Sequence, residues 1–171
     1  MLVDGYLFSL NLWYIKDKEP LSFEKCLLLF SSELQLIINN ICRMSKLIVD
    51  AATDKIFFMV IHNDINHNIT HENTKKNFEK MMVLIQNFLI SKNLELNDIS
   101  GLYVNRGPGS FAGIRNSLST IKAIHLAKKI DYYCYSFQDF KETDLVKYEN
   151  IPNLCDKYDL KKNLINPIYI S

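Results

Sequence analysis

The chain has 171 residues and a mass of 20.0 kDa, which allows one domain or slightly more and excludes a large multidomain machine. Its 48% apolar, 12% aromatic and 23% charged residues supply a real core and exclude disorder of the whole chain. Twenty Lys+Arg against nineteen Asp+Glu leave a formal charge of +1, so no overall field draws the chain to nucleic acid or membrane, and partner choice falls to a local site. Seventeen of the twenty basic residues are Lys, beside 17 Asn and 20 Ile, a bias of AT-rich coding rather than of chemistry.

Cys26, Cys42, Cys134 and Cys155 form no CxxC pair and have no histidine at metal-ligand spacing, so they read as reduced thiols with no metal role. The longest apolar stretches, such as Cys26 to Phe30, fall far short of the roughly 20 residues that span a bilayer. Asp4 and the lack of a basic stretch near Met1 argue against a secretory signal. A cytoplasmic location away from membranes is the expectation.

Residues 1–43 are aromatic and leucine-rich, with a poorly patterned helical stretch from Cys26 to Cys42. Met44 is followed at once by the strand signal Lys46-Leu47-Ile48-Val49-Asp50, so residues 1–43 read as an extension of uncertain reality, upstream of a second start site. Runs at 46–52, Lys55 to His62 and Ile65 to Thr70, separated by polar turns, predict a small meander. Thr74 is placed to cap a helix reaching about Asn93, whose apolar residues spread over more than one stripe and predict two buried faces. Ile99 to Val104 reads as a buried strand, Ser110 to Lys129 as a helix and Asp131 to Ser136 as a further strand. The order β-β-β-α-β-α-β predicts an α/β fold with a mixed sheet. Beyond Phe140 the pattern weakens, and Pro152 and Pro167 are expected to break any long element.

The segment Arg106-Gly107-Pro108-Gly109-Ser110-Phe111-Ala112-Gly113-Ile114-Arg115 holds three of the five glycines and two of the three arginines. Glycines permit positive φ and close backbone approach, Pro108 stiffens the turn, and Ser110 is placed to cap the helix. Two readings stand. The loop is either a tight strand-to-helix connection or a phosphate contact at a helix N-terminus, assisted by Arg106 or Arg115. It is neither a Walker A loop nor a GxGxxG fingerprint.

Gly107 to Arg115 closely resembles the GPGSFTGxR signature of the TsaB (YeaZ) family, matching eight of nine positions with Ala112 where threonine is usual. Leu47-Ile48-Val49-Asp50-Ala51-Ala52-Thr53 resembles the family's opening strand. Asn77-Phe78-Glu79 resembles the start of its first helix, with Asn77 in place of histidine. Pro167-Ile168-Tyr169-Ile170 resembles its C-terminal ending. The resemblance covers about residues 46–140 and implies the N-terminal subdomain of an ASKHA fold, the actin, sugar-kinase and Hsp70 superfamily. On this reading residues 44–140 form that subdomain, and residues 141–171 are a short tail where most of a second subdomain is missing.

The resemblance also implies a role in making the threonylcarbamoyl modification of adenosine beside the anticodon of tRNA. The chain is then a non-catalytic scaffold for TsaD, with TsaE and ATP or ADP acting at the level of the complex, tRNA bound indirectly, and a homodimer when TsaD is absent. The implied partner surface lies on the two helices: Phe78, Met82, Ile85 and Leu89 on the first, Ile114, Leu118, Ile121 and His125 on the second. Consecutive Met81 to Ile85 support it, since side chains of adjacent helical residues point in several directions. No catalytic residue is expected. His67 and His71 read as loop histidines, and Asp50 as a structural carboxylate capping the turn through Thr53 and Asp54. The alternatives are a small ASKHA nucleotide-binding enzyme, which predicts saturable ATP binding, a remote peptidase homologue, or a self-associating protein that ignores TsaD.

Overall fold

The computed structural model describes residues 45–169. The expectations for residues 1–43, for Cys26, Cys42 and Met44, and for Ile170 lie outside the described residues. Strands β1 (Ser45–Asp50), β2 (Lys55–His62) and β3 (Ile65–Glu72) form the meander. They are followed by α1 (Lys75–Glu79), α2 (Met81–Ile90), β4 (Ile99–Asn105), α3 (Phe111–Lys128), β5 (Tyr132–Tyr135) and α4 (Ile151–Lys157). The five strands make one sheet in the order β3-β2-β1-β4-β5. β1 pairs antiparallel with β2 and parallel with β4, so the sheet is mixed, as the element order predicts.

Strand alternation sorts the core into two layers. Leu47, Val49, Phe58, Leu102 and Val104 face α2 and α3, where Met81, Ile85, Leu89, Ile114, Leu118 and Ile121 cover them. Ile48, Met59, Tyr103 and Tyr135 face the other way, against Phe140, Ile151, Leu154 and Cys155. β1 is therefore buried on both faces, which is why its sequence is a continuous apolar run. Among the described residues no helix is long and apolar enough to cross a membrane.

One expectation changes. The single helix expected from Thr74 to about Asn93 is interrupted at Lys80, which leaves helical geometry (φ −104°, ψ 10°) and separates α1 from α2. Thr74 does cap α1, its side chain accepting a hydrogen bond from the Asn77 N–H. Pro152, expected to break any long element, lies in the first turn of the short helix α4, where a missing N–H costs nothing. The segment beyond Phe140 is thereby a second covering layer.

Leu154→Ala is expected to lower stability by about 2–5 kcal/mol, as for other buried leucines, whereas Leu145→Ala at an exposed site should change it by less than about 0.5 kcal/mol. Urea denaturation of the two variants measures the difference.

Candidate functional site

The parallel pairing of β1 with β4 brings Asp50 and Asn105 together at the C-terminal ends of their strands. Asp50 is fully buried. Its Oδ1 accepts from the Ala52 N–H at 2.9 Å, and its Oδ2 from Asn105 Nδ2 at 2.9 Å and from the Tyr148 hydroxyl at 2.8 Å. The carboxylate thus caps its turn through Ala52 rather than through Thr53 or Asp54. Asn105 accepts in turn from the Gly107 N–H at 2.9 Å. Tyr148 stacks on Phe57 at 4.1 Å and meets Phe137 edge-on, so the carboxylate is sealed beneath aromatic rings. Burial first, and then the Asp50 charge, push the phenols of Tyr148 and Tyr135 well above the ordinary tyrosine value. Tyr148 carries no sequence signal, because it lies 98 positions from Asp50.

In the loop, Gly107 takes φ +103°, a conformation that L side chains rarely adopt. The Ser110 hydroxyl accepts from the Gly113 N–H at 3.3 Å, the cap expected of it, while the Ser110 N–H donates to the Ala52 carbonyl at 2.8 Å. A Cβ on Gly109 would overlap the Ala52 carbonyl oxygen, and one on Gly113 that of Ala51. The glycines therefore let the start of α3 press against the end of β1, which is what a tight strand-to-helix connection requires. The Ile168 N–H donates to the Arg106 carbonyl at 2.8 Å and Phe111 meets the Tyr169 ring at 4.8 Å, so the opening-strand, loop and C-terminal motifs meet in one place.

Arg106 is committed elsewhere than to phosphate. Its guanidinium pairs with Asp139, Nη2 to Oδ1 at 2.5 Å and Nε to Oδ2 at 3.4 Å, and donates to the Asn166 carbonyl at 3.1 Å. Arg115, in contrast, is exposed on the outer face of α3.

The helix residues expected at a partner surface divide differently. Ile85, Leu89, Ile114 and Ile121 have no exposed surface and Leu118 only 5%, because a helix lying on a sheet buries its most apolar stripe there. Phe78 and Met82 are half-buried against the same core. His125 is half-buried, with Nδ1 at 2.8 Å from the Ile130 carbonyl and its ring edge-on to Tyr132. Since a carbonyl only accepts, Nδ1 carries the hydrogen. The outward large apolar residues are instead Val83 and Ile90 on α2, 50% and 65% exposed, and Phe111 and Leu126 on α3, 56% and 59% exposed. A shallow groove of about 420 Å³ runs beside Leu126, lined by Arg115, Leu118, Lys122, Pro167 and Tyr169.

Burial raises the thiols of Cys134 and Cys155 to about 12, so both remain protonated at neutral pH. His67 and His71 lie on β3 rather than in a turn. Four residues along a strand separate them by about 13 Å, too far to share a metal.

Gly113→Ala is expected to cost at least about 1–3 kcal/mol through the forced separation of α3 from β1, against a few tenths for Ala112→Gly on the exposed side. Thermal denaturation checks this. Tyr148→Phe keeps the stack on Phe57 but leaves Asp50 Oδ2 short of a donor, with an expected loss of about 1–3 kcal/mol in urea titrations. Both folded phenols have raised values, so the stability they add is complete below about pH 10 and is lost as pH rises beyond it. Unfolding followed from pH 8 to 12 should show that decline, shallower in the Tyr148→Phe protein.

A family model described as "TsaD: tRNA N6-adenosine threonylcarbamoyltransferase" matches residues 61–136. The curated "tRNA threonylcarbamoyladenosine biosynthesis protein TsaB" of Buchnera aphidicola subsp. Schizaphis graminum is 24% identical over 87 residues, 51% of this chain and 41% of that protein. Among solved structures, YeaZ from Pseudomonas aeruginosa superposes with a TM-score of 0.51 at 16% identity, covering 54% of this chain and 43% of its own. A second structure, described as an uncharacterized protein with similarity to peptidase YeaZ from the same organism, gives the same values. That likeness shows the fold, an ASKHA-type (RNase H-like) α/β arrangement. The chain is thus similar to TsaB (YeaZ) proteins over about half of its length, and it spans less than half the length of the relatives it matches.

Proposed function

We propose that this chain takes part in forming N6-threonylcarbamoyladenosine in tRNA as a non-catalytic partner of TsaD, docking through the outer faces of α2 and α3. The observation that carries this reading is the exposure of Val83 and Ile90 on a helix whose opposite face already fills the core. Such a helix has apolar surface to bury on two sides, and Leu126 extends that surface onto α3. Arg115 and Lys122 border the groove beside Leu126 and give it a basic rim suited to acidic side chains. The similarity to the Buchnera TsaB protein, a tRNA threonylcarbamoyladenosine biosynthesis protein, supports the pathway.

In this reading catalysis belongs to TsaD, residues 44–140 are the docking module, and TsaE, ATP or ADP and tRNA enter at the level of the complex. Without TsaD the same helical faces pair two copies. The reaction on tRNA places the chain in the cytoplasm.

The test is co-purification of the full chain with TsaD from the same genome, using Val83→Asp, Ile90→Asp and Leu126→Asp. These exposed sites tolerate a charge in the free chain, so folding should be unchanged by circular dichroism. Binding is expected to weaken by about tenfold or more for each, as at interface hot spots, and threonylcarbamoyladenosine measured in tRNA by mass spectrometry should fall with it. A chain that ignores TsaD and binds ATP saturably by itself would count for the small-enzyme reading instead.

A further inference from the structure

The groove of about 420 Å³ beside α3 has a second wall, made by the tail. Residues 164–169 run without helix or turn, and alternate side chains of that run, Ile165, Pro167 and Tyr169, line the groove opposite Leu118 and Leu126 of α3. Leu164 lies outside it and is 46% exposed.

Arg106 sets the position of this wall. Its carbonyl accepts from the Ile168 N–H at 2.8 Å and its guanidinium donates to the Asn166 carbonyl at 3.1 Å, so this loop residue holds the main chain on both sides of Pro167. Asp139 fixes the guanidinium in turn, and the Tyr169 ring meets Phe111 at the start of α3. The motif arginine and the C-terminal motif together hold a length of tail beside a helix.

The chemistry of the groove is one-sided. From Ile99 to Ile130 the sequence holds no Asp or Glu, and none occurs from Leu160 to Tyr169, so neither wall carries a carboxylate. Arg115 and Lys122 line the groove, and among the described residues neither pairs with an acidic side chain. Apart from Tyr169 the apolar surface is aliphatic, which suits side chains of a protein better than stacked bases, since bases need aromatic faces.

We infer that the groove between α3 and residues 165–169 takes an apolar segment of TsaD flanked by carboxylates, with Arg115 and Lys122 pairing those carboxylates. This inference rests on the docking proposed above and adds the tail to the docking module of residues 44–140.

The test titrates the full chain against TsaD from the same genome by calorimetry. Ile165→Asp should weaken binding by about tenfold or more, whereas Leu164→Asp, one residue away and outside the groove, should leave it unchanged. Both sites are exposed, so circular dichroism should show both variants folded. Arg115→Gln should weaken binding by about threefold at low salt and flatten its dependence on ionic strength between about 0.05 and 0.5 M, because salt screens exposed charge pairs. A native chain that does not bind TsaD refutes the docking reading itself. The groove alone fails if binding is lost in Val83→Asp yet survives Ile165→Asp, if Leu164→Asp and Ile165→Asp weaken it equally, or if the Arg115→Gln protein keeps the native salt dependence. Loss of tRNA binding by the chain alone in Arg115→Gln, with TsaD binding intact, would overturn the inference in favour of RNA.

Discussion

The approach of the Gly107–Gly113 backbone to the carbonyls of Ala51 and Ala52 is the contact on which the remaining architecture depends. A side chain at Gly109 or Gly113 would hold α3 away from the end of β1. With α3 displaced, Ile114, Leu118 and Ile121 lose their seat on the sheet, and Asn105 loses the Gly107 N–H that orients it toward Asp50. A family signature that reads like an anion-binding loop is here explained by packing. The Gly107, Ser110 and Gly113 amides are engaged with Asn105, Ala52 and the Ser110 hydroxyl, and Arg106 is held by Asp139.

Burial of the sheet on both faces separates the chain's surfaces. The helices spend their principal apolar stripes on the sheet, and what they leave outward is a sparse set of apolar side chains on α2 and α3. Such a face offers side-chain complementarity, which can be specific for one partner.

Much of the layout was legible because its signals are local. Alternating or continuous apolar runs located the strands, Thr74 and Ser110 located helix starts through their capping hydroxyls, and the glycine cluster marked a close approach. The stripe expected at a partner surface lies buried on the sheet in this chain, since periodicity reports that a helix is apolar on one side without saying what lies against it. The break at Lys80 follows from no residue preference, since Lys is a good helix former. Tyr148 over Asp50 and Arg106 on Asp139 were invisible for another reason: they join residues distant along the chain, and nothing in either residue's neighbours announces the other.

Arg106 also carries a consequence for synthesis. Its carbonyl and guanidinium are satisfied by the Ile168 N–H and the Asn166 carbonyl, the latter made 60 positions later. On a ribosome, which releases the chain from its N-terminus, β1 through α3 emerge while those partners are still unmade or in the exit tunnel. The nascent sheet can assemble early, but the motif loop acquires its last hydrogen bonds only when residues 166–168 have left the exit tunnel, so its ordering lags that of the sheet.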